Sequence, residues 1–133
     1  MDERGRVPLP PKFRDAFRAG VVLSQGSPDR CIRIYTADAF AEQASKYLAV
    51  SPLHTKGRQL RRTFSRIWET QLDAQNRVLI PAALRTYAQL DGKVMVIGAG
   101  EWIEAWAPET YEQEMERIES TLEATLESIE ERA

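Results

Sequence analysis

Asp2-Glu3-Arg4-Gly5-Arg6-Val7-Pro8-Leu9-Pro10-Pro11-Lys12-Phe13-Arg14 opens the chain and returns as Asp73-Ala74-Gln75-Asn76-Arg77-Val78-Leu79-Ile80-Pro81-Ala82-Ala83-Leu84-Arg85. The offset is 71 residues throughout, and Asp, Arg, Val, Pro and the final Arg are identical in both copies. The same offset lays Ile32-Arg33-Ile34-Tyr35 on Ile103-Glu104-Ala105-Trp106, and Phe40 on Tyr111. Two repeats of this length are too few and too long for a solenoid. They fit one domain of two related halves about a pseudo-two-fold axis. Whatever each half binds, the chain then presents twice.

Each copy reads as strand, tight turn, short strand, short helix and hairpin. In the second copy, strands are expected at Ile67–Leu72, Val78–Ile80, Val94–Ile97 and Trp102–Trp106, with a helix over Ala82–Ala88 begun by Pro81. Gly98-Ala99-Gly100 supplies the positive φ that a tight hairpin needs. The first copy repeats the order with Val7–Leu9, a helix over Pro11–Phe17, Val21–Ser24 and Cys31–Tyr35. Thr36 is placed to cap a helix over Ala37–Ala49, and Ser51-Pro52 to start another running to about Arg66. From Pro108, the residues Tyr111, Met115, Ile118, Leu122, Leu126 and Ile129 fall at gaps of three and four, one apolar stripe on a helix whose other face is almost all Glu. The division expected is a single domain over 1–133: a first copy at 1–50, a connecting helix at 51–66, a second copy at 67–111 and a C-terminal helix at 108–132.

The turn explains its own residues. Asp2 and Asp73 can accept backbone N–H bonds at the start of a tight connection. Gly5 and Asn76 stand at equivalent places and are the two residue types that most readily take left-handed backbone angles. Arg6 and Arg77, four residues after each Asp, have two uses. They can pair with that carboxylate as a structural clip, or project a planar fork toward phosphate or guanine. Arg4, Lys12 and Arg14 add charge in the first copy and Arg85 in the second; Gln75 and Ala83 replace Arg4 and Lys12, so the first turn is the richer in cations.

Asp-x-x-Gly-Arg followed by Val-x-Leu-Pro-x-Lys-Phe-Arg, with a second Asp-x-x-x-Arg and Ile-Pro about seventy residues on, resembles the MraZ family across most of the chain. The resemblance implies an α+β fold, the duplicated AbrB-like swapped-hairpin β-barrel with peripheral helices and a C-terminal amphipathic helix. It implies a DNA-binding transcriptional regulator, a repressor of the bacterial division and cell-wall gene cluster. Its partners would be double-stranded promoter repeats and further copies of itself in a ring, an octamer or similar. Cytoplasmic, nucleoid-associated localisation goes with that role. Carried over residue by residue, the DNA-contacting set is Arg4, Arg6, Lys12 and Arg77, and the turn-structuring set is Asp2, Gly5, Asp73 and Asn76. Family members generally carry a strand before the first Asp, whereas here Asp2 follows Met1 directly. The expectation is a true start upstream of Met1.

Net charge is −2 over 133 residues, but its distribution is lopsided. Residues 1–71 hold thirteen Lys/Arg against seven Asp/Glu, and residues 72–133 hold five against thirteen. A polyanion can use the first half locally. With 43% hydrophobic residues the chain can build a core, and its single cysteine excludes an internal disulfide. No apolar run is long enough to span a bilayer, and none of the residues reads as a signal peptide.

No enzyme motif stands out. An aspartic-protease dyad also arises from duplicated β halves, but it needs carboxylates sharing a proton, and an Arg close behind each Asp would keep both ionised. His54 is the only histidine, and no metal-ligand spacing, nucleophile–base pair or cofactor fingerprint is present. Neither a metal, a cofactor nor a small-molecule substrate is expected. Arg58, Arg62 and Arg66 share a helix face that suits either phosphate or the Glu-rich tail of this or a neighbouring subunit. Trp68, Trp102 and Trp106 could stack bases, although Trp102 and Trp106 alternate with Glu104 and read better as packing. Two other readings remain beside the regulator: an assembly scaffold that has lost DNA binding, and an antitoxin-like module that captures a protein.

Overall fold

The computed structural model describes residues 1–132. Seven strands and five α-helices alternate along the chain: β1 (Arg6–Pro8), α1 (Pro11–Arg14), β2 (Val21–Gln25), β3 (Ile32–Thr36), α2 (Ala37–Leu48), α3 (Thr55–Arg62), β4 (Ile67–Thr70), β5 (Arg77–Leu79), α4 (Ala82–Ala88), β6 (Met95–Gly98), β7 (Ile103–Trp106) and α5 (Pro108–Arg132). The fold is α+β with two antiparallel sheets, a β1–β5 pair and a five-stranded sheet ordered β4-β2-β3-β7-β6.

The halves interleave. β1 of the first half pairs with β5 of the second, Val7 opposite Val78, rather than with a strand of its own copy. β2 pairs on one side with β3 and on the other with β4, the strand that leads into the second copy. Alternation then sorts the side chains, since successive residues of a strand face opposite ways. Val7, Leu9, Val21, Leu23, Ile32, Ile34, Val78, Ile80 and Ile103 all point into one buried cluster, which Leu84 and Ala88 of α4 close. Fully burying one such side chain contributes roughly 1.5–3 kcal/mol, so this shared core holds the two copies together.

The strands do not close into one barrel. β2 has two neighbours, whereas β6, its counterpart in the second copy, has only β7. Symmetry locates the gap. Leu72, just after β4, packs on the core, and Met1, its equivalent by the 71-residue offset, does the same and donates its amino group to the Gly92 carbonyl at 2.8 Å, beside the start of β6.

Most element boundaries agree with the sequence pattern to within two residues, and Thr36 does cap α2, accepting from the Ala39 N–H at 3.1 Å. The helix expected from Ser51-Pro52 begins instead at Thr55 and turns 3₁₀ over Thr63–Arg66. Two of its arginines are engaged locally. Arg58 donates to the carbonyls of Pro52 and Leu53, and Arg61 to those of Leu48, Val50 and Gly57. Most of these carbonyls end α2 or form the link to α3, so Arg58 and Arg61 stitch the helical hairpin, whereas Arg66 of the same face reaches the Gln25 side chain instead. Gly57 is buried at that junction, and a β-carbon there would collide with the Ser51 carbonyl oxygen.

A second layer covers the outer face of the five-stranded sheet. Tyr35 meets Phe40 and Trp102 with ring centroids 5.6 Å away in each case, and Phe64 packs on Phe40 and Tyr47. The Trp102 and Trp106 indoles both donate to the Glu104 carboxylate, at 3.0 and 2.9 Å, and Trp106 also packs on Tyr111. Their use is packing. The first three residues of the α5 stripe are half-buried, while Leu122, Leu126 and Ile129 are exposed.

Candidate nucleic-acid interface

Two copies of one turn form the site. In the first, the Gly5 N–H donates to the Asp2 carbonyl at 3.1 Å, and one Asp2 carboxylate oxygen accepts the N–H groups of Arg4 and Arg6 at 3.0 and 2.9 Å. In the second, the Asn76 N–H donates to the Asp73 carbonyl at 3.0 Å, and one Asp73 oxygen accepts from Gln75 and Arg77, both at 2.9 Å. The left-handed backbone falls on the paired positions, φ +84° at Gly5 and +59° at Asn76. One geometric need thus explains both residue choices.

The second oxygen of each carboxylate takes the Arg that follows, Arg6 Nε on Asp2 at 2.6 Å and Arg77 Nε on Asp73 at 2.8 Å. Backbone N–H donation, from Arg6 to Asp2 and from Arg77 to Asp73, is the largest influence holding both carboxyls below their ordinary value of 3.8, and the two guanidiniums add to it. Both Asp residues therefore stay ionised, which removes any shared-proton chemistry.

The two turns meet. Arg77 Nη1 lies 3.5 Å from the Asp2 carboxylate, so the arginines of both copies converge on one acidic group. They are not walled off, since their side chains keep 30% (Arg6) and 24% (Arg77) of their exposure. Each uses its Nε internally, and Arg77 also turns Nη1 toward Asp2, while part of both side chains stays at the surface, where a phosphate or a guanine edge could be reached. Arg4 is exposed in the first turn. Lys12 stands apart on α1, its ammonium 5.0 Å from the centre of the Phe13 ring.

Arg85 is the residue the motif did not single out. A β-carbon on Gly5 would sit 2.9 Å from the Arg85 guanidinium, which underlies the first turn from α4. Its Nε is shielded from solvent without a hydrogen-bond partner. The repeat itself carried the signal: Arg85 is the counterpart of Arg14, whose Nε donates to the Leu9 carbonyl at 3.0 Å. Arg6 and Arg77 thus share two ionised carboxylates, with Arg4 exposed in the first turn and Arg85 beneath Gly5.

Among the described residues no group of His, Cys, Asp and Glu could hold a metal ion, and no helix is long and apolar enough to cross a membrane. Cys31 is buried, and desolvation first of all pushes its thiol up to about 12, far from a reactive thiolate.

Comparison with known proteins agrees with these features. Residues 64–133 match the family model described as "MraZ protein, putative antitoxin-like". The chain is 33% identical over 132 residues to a protein of Dehalococcoides mccartyi, covering 98% of this chain and 93% of that one. It is 39% identical to one from Clavibacter michiganensis subsp. michiganensis, over 97% of this chain and 90% of that one. A Nocardioides protein is 41% identical over 81% of this chain and 75% of its own length. All three are named "Transcriptional regulator MraZ", a regulator's name rather than an enzyme's.

Proposed function

Because the chain belongs to the MraZ family, we propose that it is a transcriptional regulator whose paired turns contact double-stranded DNA. The observation that carries this reading is the convergence of Arg6 and Arg77 on Asp2. Two copies of one turn bring their cations to a shared carboxylate, Arg6 held through Nε and Arg77 through Nε and Nη1. A phosphate or base edge would meet the part of both side chains left at the surface. Arg4 extends the same surface from the first copy, and Lys12 adds charge from α1.

One such surface neutralises few phosphates and binds weakly alone. A homo-oligomeric ring would lay several of these surfaces along repeated promoter boxes, each contact raising the effective concentration of the next. The target we assign is the promoter of the division and cell-wall gene cluster, with repression the outcome, in the cytoplasm and at the nucleoid. Binding to DNA carrying promoter repeats, measured by fluorescence anisotropy over a range of salt, tests the reading. The logarithm of affinity should fall linearly with the logarithm of salt, by about 0.9 per phosphate neutralised. An Arg6→Ala/Arg77→Ala double variant that keeps its fold and binds as before would reject the site.

A further inference from the structure

A second cationic site lies on the opposite face of the five-stranded sheet from the shared core. A cavity of about 130 Å³ opens there between β2, β3, α2 and the 3₁₀ turn at Thr63–Arg66. Its walls include Tyr35, Phe40, Tyr47 and Phe64, and its charged residues are Arg33 and Arg66. No carboxylate lines it, although acidic residues outnumber basic ones in the chain by twenty to eighteen.

Neither arginine is in an ion pair among the described residues. Arg33 sits with its guanidinium carbon 4.3 Å from the centre of the Trp102 ring, and its Nε is cut off from solvent with no hydrogen-bond partner. Its cross-strand neighbour is Glu104, but that carboxylate accepts the Trp102 and Trp106 indoles instead. Arg66 reaches only the Gln25 side-chain oxygen, at 3.2 Å. A buried donor without an acceptor is destabilising, and donors to a charged acceptor make the stronger hydrogen bonds. Against its burial, Tyr35 and Glu104 stabilise the Arg33 charge, yet no acceptor meets its Nε, and an anion in the cavity would supply one.

We propose that this cavity binds a small aromatic anion, with its carboxylate or phosphate between Arg33 and Arg66 and its ring among Tyr35, Phe40, Tyr47 and Phe64. Size sets the limit. A cavity of about 150 Å³ accommodates benzene, so this one, at about 130 Å³, holds no more than a single ring, leaves the charged group at its mouth beside the arginines, and excludes a nucleotide. Trp102, in cation–π contact with Arg33, helps hold the guanidinium in place. The site is separate from the turn surface and does not depend on DNA binding.

The test is titration of the full chain with benzoate and with phenyl phosphate, using uncharged benzamide as the control for shape. Resonances of the Arg33 Nε–H and the Trp102 indole report binding by NMR. Both anions should shift the Arg33 resonance saturably, with a Kd in the millimolar range or tighter, and benzamide should bind at least roughly ten-fold more weakly, as expected for the loss of a charged acceptor. Arg66→Gln, at the exposed rim, should weaken benzoate binding by a similar factor while the thermal transition stays unchanged. Arg33→Gln should abolish it, and because Arg33 packs on Trp102 the rim variant serves as the independent check if that protein fails to fold. Equal binding of benzamide and benzoate, or no saturable shift with either anion, overturns the proposal. So does wild-type benzoate affinity in Arg66→Gln. If inorganic phosphate displaces benzoate as well as phenyl phosphate does, the aromatic part of the ligand class is wrong.

Discussion

At the scale of the residue, the two turns obey one rule with different side chains. Gly5 at φ +84° has no β-carbon to strain, and Asn76 at +59° is among the few residues that accept the region. Gly5→Ala should therefore destabilise the chain by about 1–3 kcal/mol in denaturant unfolding, the usual range for a non-glycine residue forced into that region. It should also push on the Arg85 guanidinium beneath. Asn76→Gly should be nearly neutral. For function, Arg6→Ala should weaken binding to promoter repeats more than Arg77→Ala, because Arg4 stands with Arg6 where the second copy has Gln75; anisotropy at one fixed salt concentration ranks them. The Asp pair predicts a pH response. Both carboxyls are held below 3.8 in the folded state, so the stability they add is present at neutral pH. It declines as pH falls below that value and is gone once the lowered folded values are passed. Asp73→Asn should flatten this acid limb, seen as a smaller fall in Tm between neutral pH and pH 3. The turn was legible from sequence because its constraints are local. Arg85 was legible only as a repeat partner, since α4 must dock before its position under Gly5 exists.

At the scale of the element, periodicity located the strands and four of the helices well, because half-buried strands and amphipathic helices repeat at their own spacing. The link between α2 and α3 was misread. Ser51-Pro52 looks like a helix start, yet α3 waits until Thr55. Carbonyls freed at the end of α2 are satisfied by Arg58 and Arg61, side chains further along the sequence than a local pattern can register. Tight approach of the two helices there depends on Gly57. Gly57→Ala should cost about 1–3 kcal/mol by crowding against the Ser51 carbonyl, measurable as a shift in urea midpoint with unchanged slope. A fall in slope would instead mean that the hairpin of helices had come loose before the transition.

At the scale of the whole molecule, duplication was plain in the sequence, but how the copies interlock was not, because the β1–β5 pairing joins residues some seventy positions apart. An apolar stripe such as that of α5 needs a surface to lie on. Tyr111 packs on Trp106 of β7 and Met115 and Ile118 are half-buried, while Leu122, Leu126 and Ile129 stay in solvent, with relative exposures of 43%, 51% and 60%. If a ring forms through this helix, Leu126→Asp should reduce the mass measured by light scattering and leave the circular dichroism of the subunit intact. Unchanged mass would move the interface elsewhere.

The unequal edges of the five-stranded sheet have a practical consequence. β6 carries Met95, Val96 and Ile97 and no charge, with β7 on one side only. Unguarded strands of this composition recruit others, and proteins commonly deter that with lysine. A further antiparallel strand, from a segment preceding Met1 or from another copy, would complete the sheet at β6 as β4 does at β2, and Ile97→Lys should oppose that addition.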